Sequence, residues 1–390
     1  MAPRLAVSRP NPASPVYPAW YNPPVPSSTA PAQARVRAFD WLRGLAVLVM
    51  VETHSMVLLR RELLATRTAV FLDYVNGLVA PSFIFAAGFS LALVQVRTAS
   101  SGGPRGPRIL RTLRRIGEVL LVGTLINWVW FPISIEPGWL LRMDILQCIG
   151  ITLLVALPLN AVLAPRPRTL VLASLLVSVT LFLVSPFADG VTGPLQDLFN
   201  KDGPRHSVFP LLPWAAWAFL GGAAGATAAH GTAAQVRRLV AGIGIGSAAA
   251  LLLKPVFLAV YPPHAFWVTD PANSGARGIA VMALLFVLLQ LEARAPAGAR
   301  PSPLVWLVEL FGTSSLAAYF FHEMLLYYEF RGVSLARLAG GRCGWAGFAA
   351  LTLVVIAATA VLSWITDRIY RRLDRRGAPR RVPTVGPVSA

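Results

Sequence analysis

Long apolar segments, separated by short stretches rich in arginine, proline and glycine, follow one another along most of the chain. Each segment has close to the ~20 residues that an α-helix needs to cross the hydrocarbon core of a membrane. We therefore predict about ten spanning helices. Their approximate bounds are 38–59, 69–95, 109–131, 144–163, 168–185, 209–229, 237–260, 276–293, 304–328 and 346–366.

Composition favours the same class. Hydrophobic residues make up 55% of the 390 residues and charged residues 13%, and the mean hydropathy is +0.61. A soluble domain carries about 25% charged residues. The predicted fold class is therefore all-α. We expect a polytopic integral membrane protein, with the lipid bilayer as a partner.

Three regions are expected along the chain. Residues 1–34 are rich in proline, alanine and serine and lack the apolar core of a signal peptide, which predicts a disordered cytoplasmic tail. Residues 35–370 form the predicted transmembrane domain, and residues 371–390 form a basic cytoplasmic tail. Cys148 and Cys343 lie far apart in sequence, so neither a disulfide framework nor a metal site is predicted.

The formal net charge of +18 does not indicate a nucleic-acid partner. The basic residues lie between apolar segments rather than in one patch, and no nucleic-acid motif accompanies them. With the N-terminus inside, most of them fall on the cytoplasmic side, including those within 97–115 and 368–381. The positive-inside rule thus predicts that both termini are cytoplasmic.

The first apolar segment carries ionisable groups that a spanning helix does not need. Asp40, Arg43 and His54 recur at helical spacing and share one face, with Asp40 and His54 about 21 Å apart along the axis. Such groups are expensive in a bilayer and mark functional sites. Neutral imidazole exchanges protons near neutral pH, which makes His54 a candidate general base. Structural roles remain alternatives to a functional site for all three residues. Asp40 could stabilise the helix dipole, Arg43 could snorkel to the headgroups, and His54 could be a packed core histidine.

A second group of candidates opens the third segment. Arg108, Arg111 and Arg115 fall on one helical face at the predicted cytoplasmic edge. Guanidinium groups bind phosphate bidentately and stay charged, so this face could hold a phosphorylated cytosolic co-substrate. A positive-inside anchor is the alternative interpretation.

Three further polar residues lie within or beside apolar segments. Asp144 and Gln147 are one turn apart and could bind acceptor hydroxyls, although Asp144 could equally cap a helix. His322 lies in an apolar run beside Glu323 and could line the same cavity as His54. The remaining histidines are expected in solvated loops: His206, His230 and His264.

The opening of the first helix, residues 39–46 followed by His54, resembles the transmembrane acyltransferase superfamily. Within it, the chain is most similar to bacterial members of the heparan-alpha-glucosaminide N-acetyltransferase catalytic-domain family, with the histidine placed as in the related acyltransferase-3 family. The resemblance runs from about residue 35 to 370. Further stretches that carry it are 79–88, 142–150, 209–214 and 312–322.

The resemblance implies transfer of an acetyl or other short acyl group from cytosolic acyl-CoA to a hydroxyl or amine of an extracytoplasmic carbohydrate. It implies that His54 is the essential histidine, that Asp40 and Arg43 are its motif partners, and that the third-helix arginines contact the CoA phosphates. The expected acceptor is a glycan or glycolipid, the expected location is the bacterial inner membrane, and a homodimer is one option for assembly. Direct and ping-pong transfer both remain open.

One departure and one competing function accompany this resemblance. The lysosomal branch of the family is expected to carry its catalytic histidine in the loop after the first helix, whereas residues 59–75 contain none here. A polytopic transporter would also account for the Asp, Arg and His stripe as a solute or proton path. It would not account for the phosphate-suited arginines at the cytoplasmic edge.

Overall fold

Helices joined by turns and loops make up the described part of the structure, which is a computed structural model. Within those residues, extended pairing is limited to two isolated bridges, Leu59 with Cys343 and Phe330 with Val333. The all-α prediction is thus confirmed for this part of the chain. The predicted tail 1–34 lies outside it. The described residues are 36–102, 104–131, 133–296 and 301–377, without the side chains of 374–377.

Seventeen α-helices, several of them short, account for most of the described residues. Three short 3₁₀ turns lie between them, at Met56–Leu58, Pro137–Leu141 and Ser185–Gly190. The α-helices are α1 (Arg37–Ser55), α2 (Arg61–Leu64), α3 (Arg67–Asn76), α4 (Val79–Ser100), α5 (Arg105–Trp130), α6 (Ile145–Leu163), α7 (Pro167–Val184), α8 (Gln196–Phe199), α9 (Leu211–His230), α10 (Ala233–Leu252), α11 (Lys254–Val260), α12 (Phe266–Thr269), α13 (Pro271–Arg294), α14 (Pro303–Thr313), α15 (Ser315–Tyr327), α16 (Leu335–Ala339) and α17 (Trp345–Gly377).

The number of candidate spans is smaller than the number of apolar segments. Among the described residues, 6 helical stretches are long and apolar enough to cross a membrane, and two bent helix pairs raise the number to 8. The predicted segments 109–131 and 209–229 coincide with α5 and α9, which are helical but do not meet the same test. The chain is thus a multi-pass membrane protein by its helices.

The predicted single segment 304–328 is two helices, because the chain bends by 95° between α14 and α15. Ser314 leaves the helical conformation at φ −111° and ψ 29°. The Thr313 hydroxyl donates to the carbonyls of Glu309 at 2.9 Å and Leu310 at 3.0 Å, which satisfies acceptors at the end of α14. Hydropathy alone does not register such a break, since both halves are apolar.

Helix α1 lies at the centre of the bundle and contacts α4, α13, α14, α15 and α17. Close approach to α14 depends on two glycines. A Cβ at Gly44 would collide with the carbonyl oxygen of Val308, and one at Gly312 would collide with that of Asp40. Small residues of this kind let membrane helices pack backbone to backbone. The packing fixes α1 against α14, and α15 follows directly after the bend.

Helices α4 and α9 form a second close pair. A Cβ at Gly88 would collide with the carbonyl oxygen of Ala218, and one at Gly221 with that of Phe85. Gly225 repeats the pattern four residues later, against Phe89. This pair forms one wall of the bundle and holds α4 against the centre.

Candidate active site

Two cavities lie inside the helix bundle and share part of their lining. The first has a volume of about 400 Å³ and is lined by four arginines. The second has a volume of about 610 Å³ and contains His54. Phe83, Ile145 and Tyr319 line both. We call them the arginine cavity and the histidine cavity.

The arginine cavity gathers the basic residues of α5. Arg108, Arg111 and Arg115 all line it, as their shared helical face suggests. The neighbouring Arg114 points elsewhere and pairs with Glu118 at 3.2 Å. Arg108 is only 3% exposed, and its buried Nε has no hydrogen-bond partner among the described residues. Because a buried, unpartnered guanidinium nitrogen is costly, it suits an anionic ligand in the cavity.

Arg43 of α1 completes this cavity. Its Nη1 donates to the Gly312 carbonyl at 2.9 Å and its Nη2 donates to the Ser90 hydroxyl at 2.9 Å, so the side chain ties α1 to α14 and α4. Asp40 lies 3.8 Å from the same guanidinium but lines neither cavity. The two motif residues therefore differ in position: Arg43 lines a cavity where it can meet a ligand, and Asp40 lies beside Arg43 outside both cavities.

His54 lies at the far end of α1 from Arg43, in the histidine cavity. Its Nδ1 contacts the carboxylate of Glu323 and lies 3.0 Å from Nε2 of His322, both on α15. Tyr327, one turn further along α15, donates its hydroxyl to the His54 carbonyl at 2.8 Å. Three residues of α15 thus hold one residue of α1.

Hydrogen bonding determines where the protons of these imidazoles lie. Nδ1 of His322 lies 2.9 Å from the carbonyl of Ala318, an acceptor, so this nitrogen carries the proton and Nε2 is left as an acceptor. Nδ1 of His54 therefore faces two acceptors, His322 Nε2 and the Glu323 carboxylate. It must itself be the donor. The lone pair of neutral His54 then lies on Nε2, which is the arrangement that a general base requires.

The polar rim of the histidine cavity includes Asp144 and Arg142, at the start of α6. Asp144 is the N-cap residue of α6 but its side chain makes no capping bond, and it lies 3.4 Å from the Arg142 guanidinium. Arg142 also stacks over the Phe131 ring at 4.3 Å. The sequence left two interpretations of Asp144 open, a carboxylate at a binding site and a helix cap. The position of Asp144 at the cavity and the missing capping bond favour the first.

The two other predicted binding residues do not reach either cavity in the described structure. Gln147 is buried at 6% exposure and lies against Gly123 of α5. His322 is fully buried behind His54. His264 lies in a loop, but its side chain is only 4% exposed, so the prediction that it is solvated was wrong. His230 is exposed but is the last residue of α9 rather than a loop residue, whereas His206 is exposed in a loop as predicted.

Glu323 and Tyr327 are site residues that the sequence analysis did not single out as candidates, since it named Glu323 only as the neighbour of His322. Both lie on α15, more than 260 residues beyond His54. An acidic side chain inside an apolar helix was the available signal for Glu323. No local signal marked Tyr327, because its role comes from packing between distant helices.

The side chains around His54 could also bind a metal ion. His54, His322 and Glu323 offer ligand atoms that all lie within 4.8 Å of one another. Two imidazoles and one carboxylate are a common donor set for transition metals. The hydrogen bonds described above account for the same atoms without a metal.

The catalytic-domain profile of heparan-alpha-glucosaminide N-acetyltransferase matches residues 35–254. The chain belongs to this family. No curated protein gives a significant match to the chain. Membership implies an acetyl-CoA-dependent acetyltransferase, so the resemblance noted in the sequence is confirmed at family level.

The match covers one part of the candidate site. His54, Arg43 and the α5 arginines of this acetyltransferase lie within the matched residues, whereas His322 and Glu323 lie beyond residue 254. The histidine cavity therefore combines a matched segment with an unmatched one.

Proposed function

We propose that this family member moves an acetyl or other short acyl group from cytosolic acyl-CoA to a hydroxyl or amine of an extracytoplasmic carbohydrate. The observation that carries the proposal is the pair of cavities with a common wall, one lined by arginines and one by a histidine with its lone pair on Nε2. Ten spans with both termini in the cytoplasm and a bacterial inner-membrane location belong to the same proposal.

The arginine cavity is the proposed donor site. Acyl-CoA carries several phosphate groups, and Arg108, Arg111 and Arg115 would bind them at the cytoplasmic edge. Arg43, which lines the same cavity from α1, would contact the thioester end of the donor. The buried Arg108 Nε without a partner supports an anionic ligand more than a simple anchor.

Direct transfer is the proposed route. His54 Nε2 takes the proton of the acceptor hydroxyl or amine, and the acceptor atom attacks the thioester carbonyl carbon. The carbon–sulfur bond then breaks, and the proton on Nε2 passes to the departing thiolate, which leaves as CoA thiol. The Glu323 carboxylate stabilises the imidazolium between these two steps, and Tyr327 holds the backbone of His54.

The histidine cavity is the proposed acceptor site. Its lining includes the aromatic rings of Trp130, Phe131, Trp214 and Tyr327, and rings of this type stack against sugar faces. Asp144 and Arg142 offer an acceptor and donors for hydroxyl groups at the same rim. This lining supports a glycan or glycolipid headgroup as acceptor.

Release of CoA thiol from acetyl-CoA by the purified full-length protein tests the proposal. Glucosamine and glucose serve as probe acceptors, because one offers an amine and the other only hydroxyls. His54→Ala should lower the rate by about 10²- to 10⁴-fold. His206→Ala is the matched control, since that side chain is exposed. Equal rates in His54→Ala and the unmodified protein would contradict the proposal.

A further inference from the structure

Three apolar or aromatic side chains, from three different helices, line both cavities. Phe83 comes from α4, Ile145 is the first residue of α6, and Tyr319 comes from α15. We propose that these three side chains form a constriction that selects acetyl over longer acyl groups. The proposal rests on the proposed function, because it concerns the thioester that reaches His54.

Each side of the constriction is backed by packed structure. Phe83 packs against the core cluster around α1 and α14. Ile145 is 8% exposed. The Tyr319 ring lies edge-on to His322, with 5.4 Å between the ring centroids, and His322 is fully buried. Since protein interiors are close-packed, widening the gap would require several helices to shift.

The surface beyond the constriction also disfavours a long acyl chain. The histidine cavity presents His54, Asp144, Glu323 and Arg142. An alkyl chain that passed Phe83 would displace water from these charged groups without replacing its hydrogen bonds. An acetyl group carries only one carbon beyond the thioester carbonyl, so it displaces far less of this water. Size and polarity therefore act in the same direction.

Affinity measured along an acyl-CoA series distinguishes this arrangement from an open apolar pocket. In an open pocket each added methylene would strengthen binding by roughly fourfold. The constriction predicts the reverse, with hexanoyl-CoA binding at least about tenfold more weakly than acetyl-CoA. The series needs no knowledge of the acceptor.

Calorimetry on the full chain in nanodiscs, with acetyl-, butyryl- and hexanoyl-CoA, provides the test. Phe83→Ala should raise the affinity for hexanoyl-CoA relative to acetyl-CoA by about tenfold or more. Ile145→Ala should act in the same direction and serves if the first variant fails to fold. Phe187→Ala is the matched control, because Phe187 is exposed, lines neither cavity and should leave the ratio unchanged.

The possible outcomes distinguish failure of the proposed constriction from failure of the proposed function. Tight acetyl-CoA binding with the same chain-length ratio in Phe83→Ala, Ile145→Ala and the unmodified protein would overturn the constriction and leave the proposed function standing. An acyl-CoA affinity that rises with acyl chain length in the unmodified protein would also overturn the constriction and leave the proposed function standing. A protein that binds none of the three acyl-CoAs would overturn both.

Discussion

Glu323 determines which nitrogen of His54 is free, so its charge should matter more than its size. In Glu323→Gln the amide can donate a hydrogen to His54 Nδ1, which moves the imidazole proton to Nε2 and removes the lone pair from the histidine cavity. We expect thiol release to fall by about 10²- to 10⁴-fold with little change in acetyl-CoA binding. Glu329→Gln is the control, because Glu329 pairs with Arg337 at the surface.

A rate in Glu323→Gln close to that of the control would show that the carboxylate does not orient His54. A loss of acetyl-CoA binding in the same variant would place Glu323 at the donor instead. Both quantities are measured on one preparation.

The His54, His322 and Glu323 cluster also makes a prediction about metals. Because hydrogen bonds account for its ligand atoms, removal of divalent cations with EDTA should leave thiol release unchanged. Metal analysis of the purified protein should find less than one bound ion per chain. Loss of activity after chelation, with recovery on addition of zinc, would contradict this prediction.

At the scale of helices, the close contact of α4 with α9 makes stability sensitive to single methyl groups. Gly221→Ala would drive a Cβ into the Phe85 carbonyl, and we expect it to lower the free energy of unfolding by about 1–3 kcal/mol. Gly242→Ala in α10 meets no described atom within 4 Å and should be neutral or stabilising, since alanine favours helix by about 1 kcal/mol. Thermal unfolding in detergent compares the two, and equal losses would contradict the packing.

The loop before α13 contains a buried ion pair. His264 lies with Nδ1 2.8 Å from the Pro262 carbonyl and Nε2 2.8 Å from Asp270, so both ring nitrogens face acceptors. Burial lowers the pKa of His264, but these hydrogen bonds and the charges of Asp270 and Asp189 outweigh it and raise the pKa above its usual value. Asp189 also accepts from the Ala265 amide at 2.6 Å, which joins this loop to the one after α7.

Stability should therefore depend on pH through His264. The folded state holds the imidazole proton more tightly than the unfolded state, whose pKa is about 6.5. The stabilisation is fully present below that value and is lost as pH rises through the higher pKa of the folded state. The melting temperature of the unmodified protein should fall across this window more than that of His264→Gln. His206→Gln should behave like the unmodified protein, and parallel curves for all three would contradict the assignment.

Some features of this structure can be predicted from the sequence and others cannot. Hydropathy locates the helices, because a spanning helix needs a long apolar run whatever its neighbours are. Spacing of 3.6 residues predicts that Arg108, Arg111 and Arg115 share a face, and they line one cavity. The pairing of His54 with Glu323 and the bend at Ser314 were not predictable, because both depend on contacts between helices distant in sequence.

Across the whole molecule, the proposed chemistry requires a defined sidedness. The positive-inside rule puts residue 101 in the cytoplasm and residue 202 outside. With Cys148→Ser and Cys343→Ser as background, a membrane-impermeant maleimide should label Asp202→Cys in intact cells and leave Ser101→Cys unlabelled. Both positions are exposed, so lysed cells should label equally. The opposite pattern in intact cells would place the arginine cavity on the wrong side for a cytosolic donor.

The proposed constriction of Phe83, Ile145 and Tyr319 also has a consequence for what drives the reaction. A carrier that moved a charged donor across the bilayer would have to expose its site alternately to each side and spend an ion gradient or ATP. In the proposed reaction only the acyl group passes between the cavities, in the same event that breaks its thioester. The free energy of that bond would thus drive both the modification and its direction, and CoA would never leave the cytoplasm.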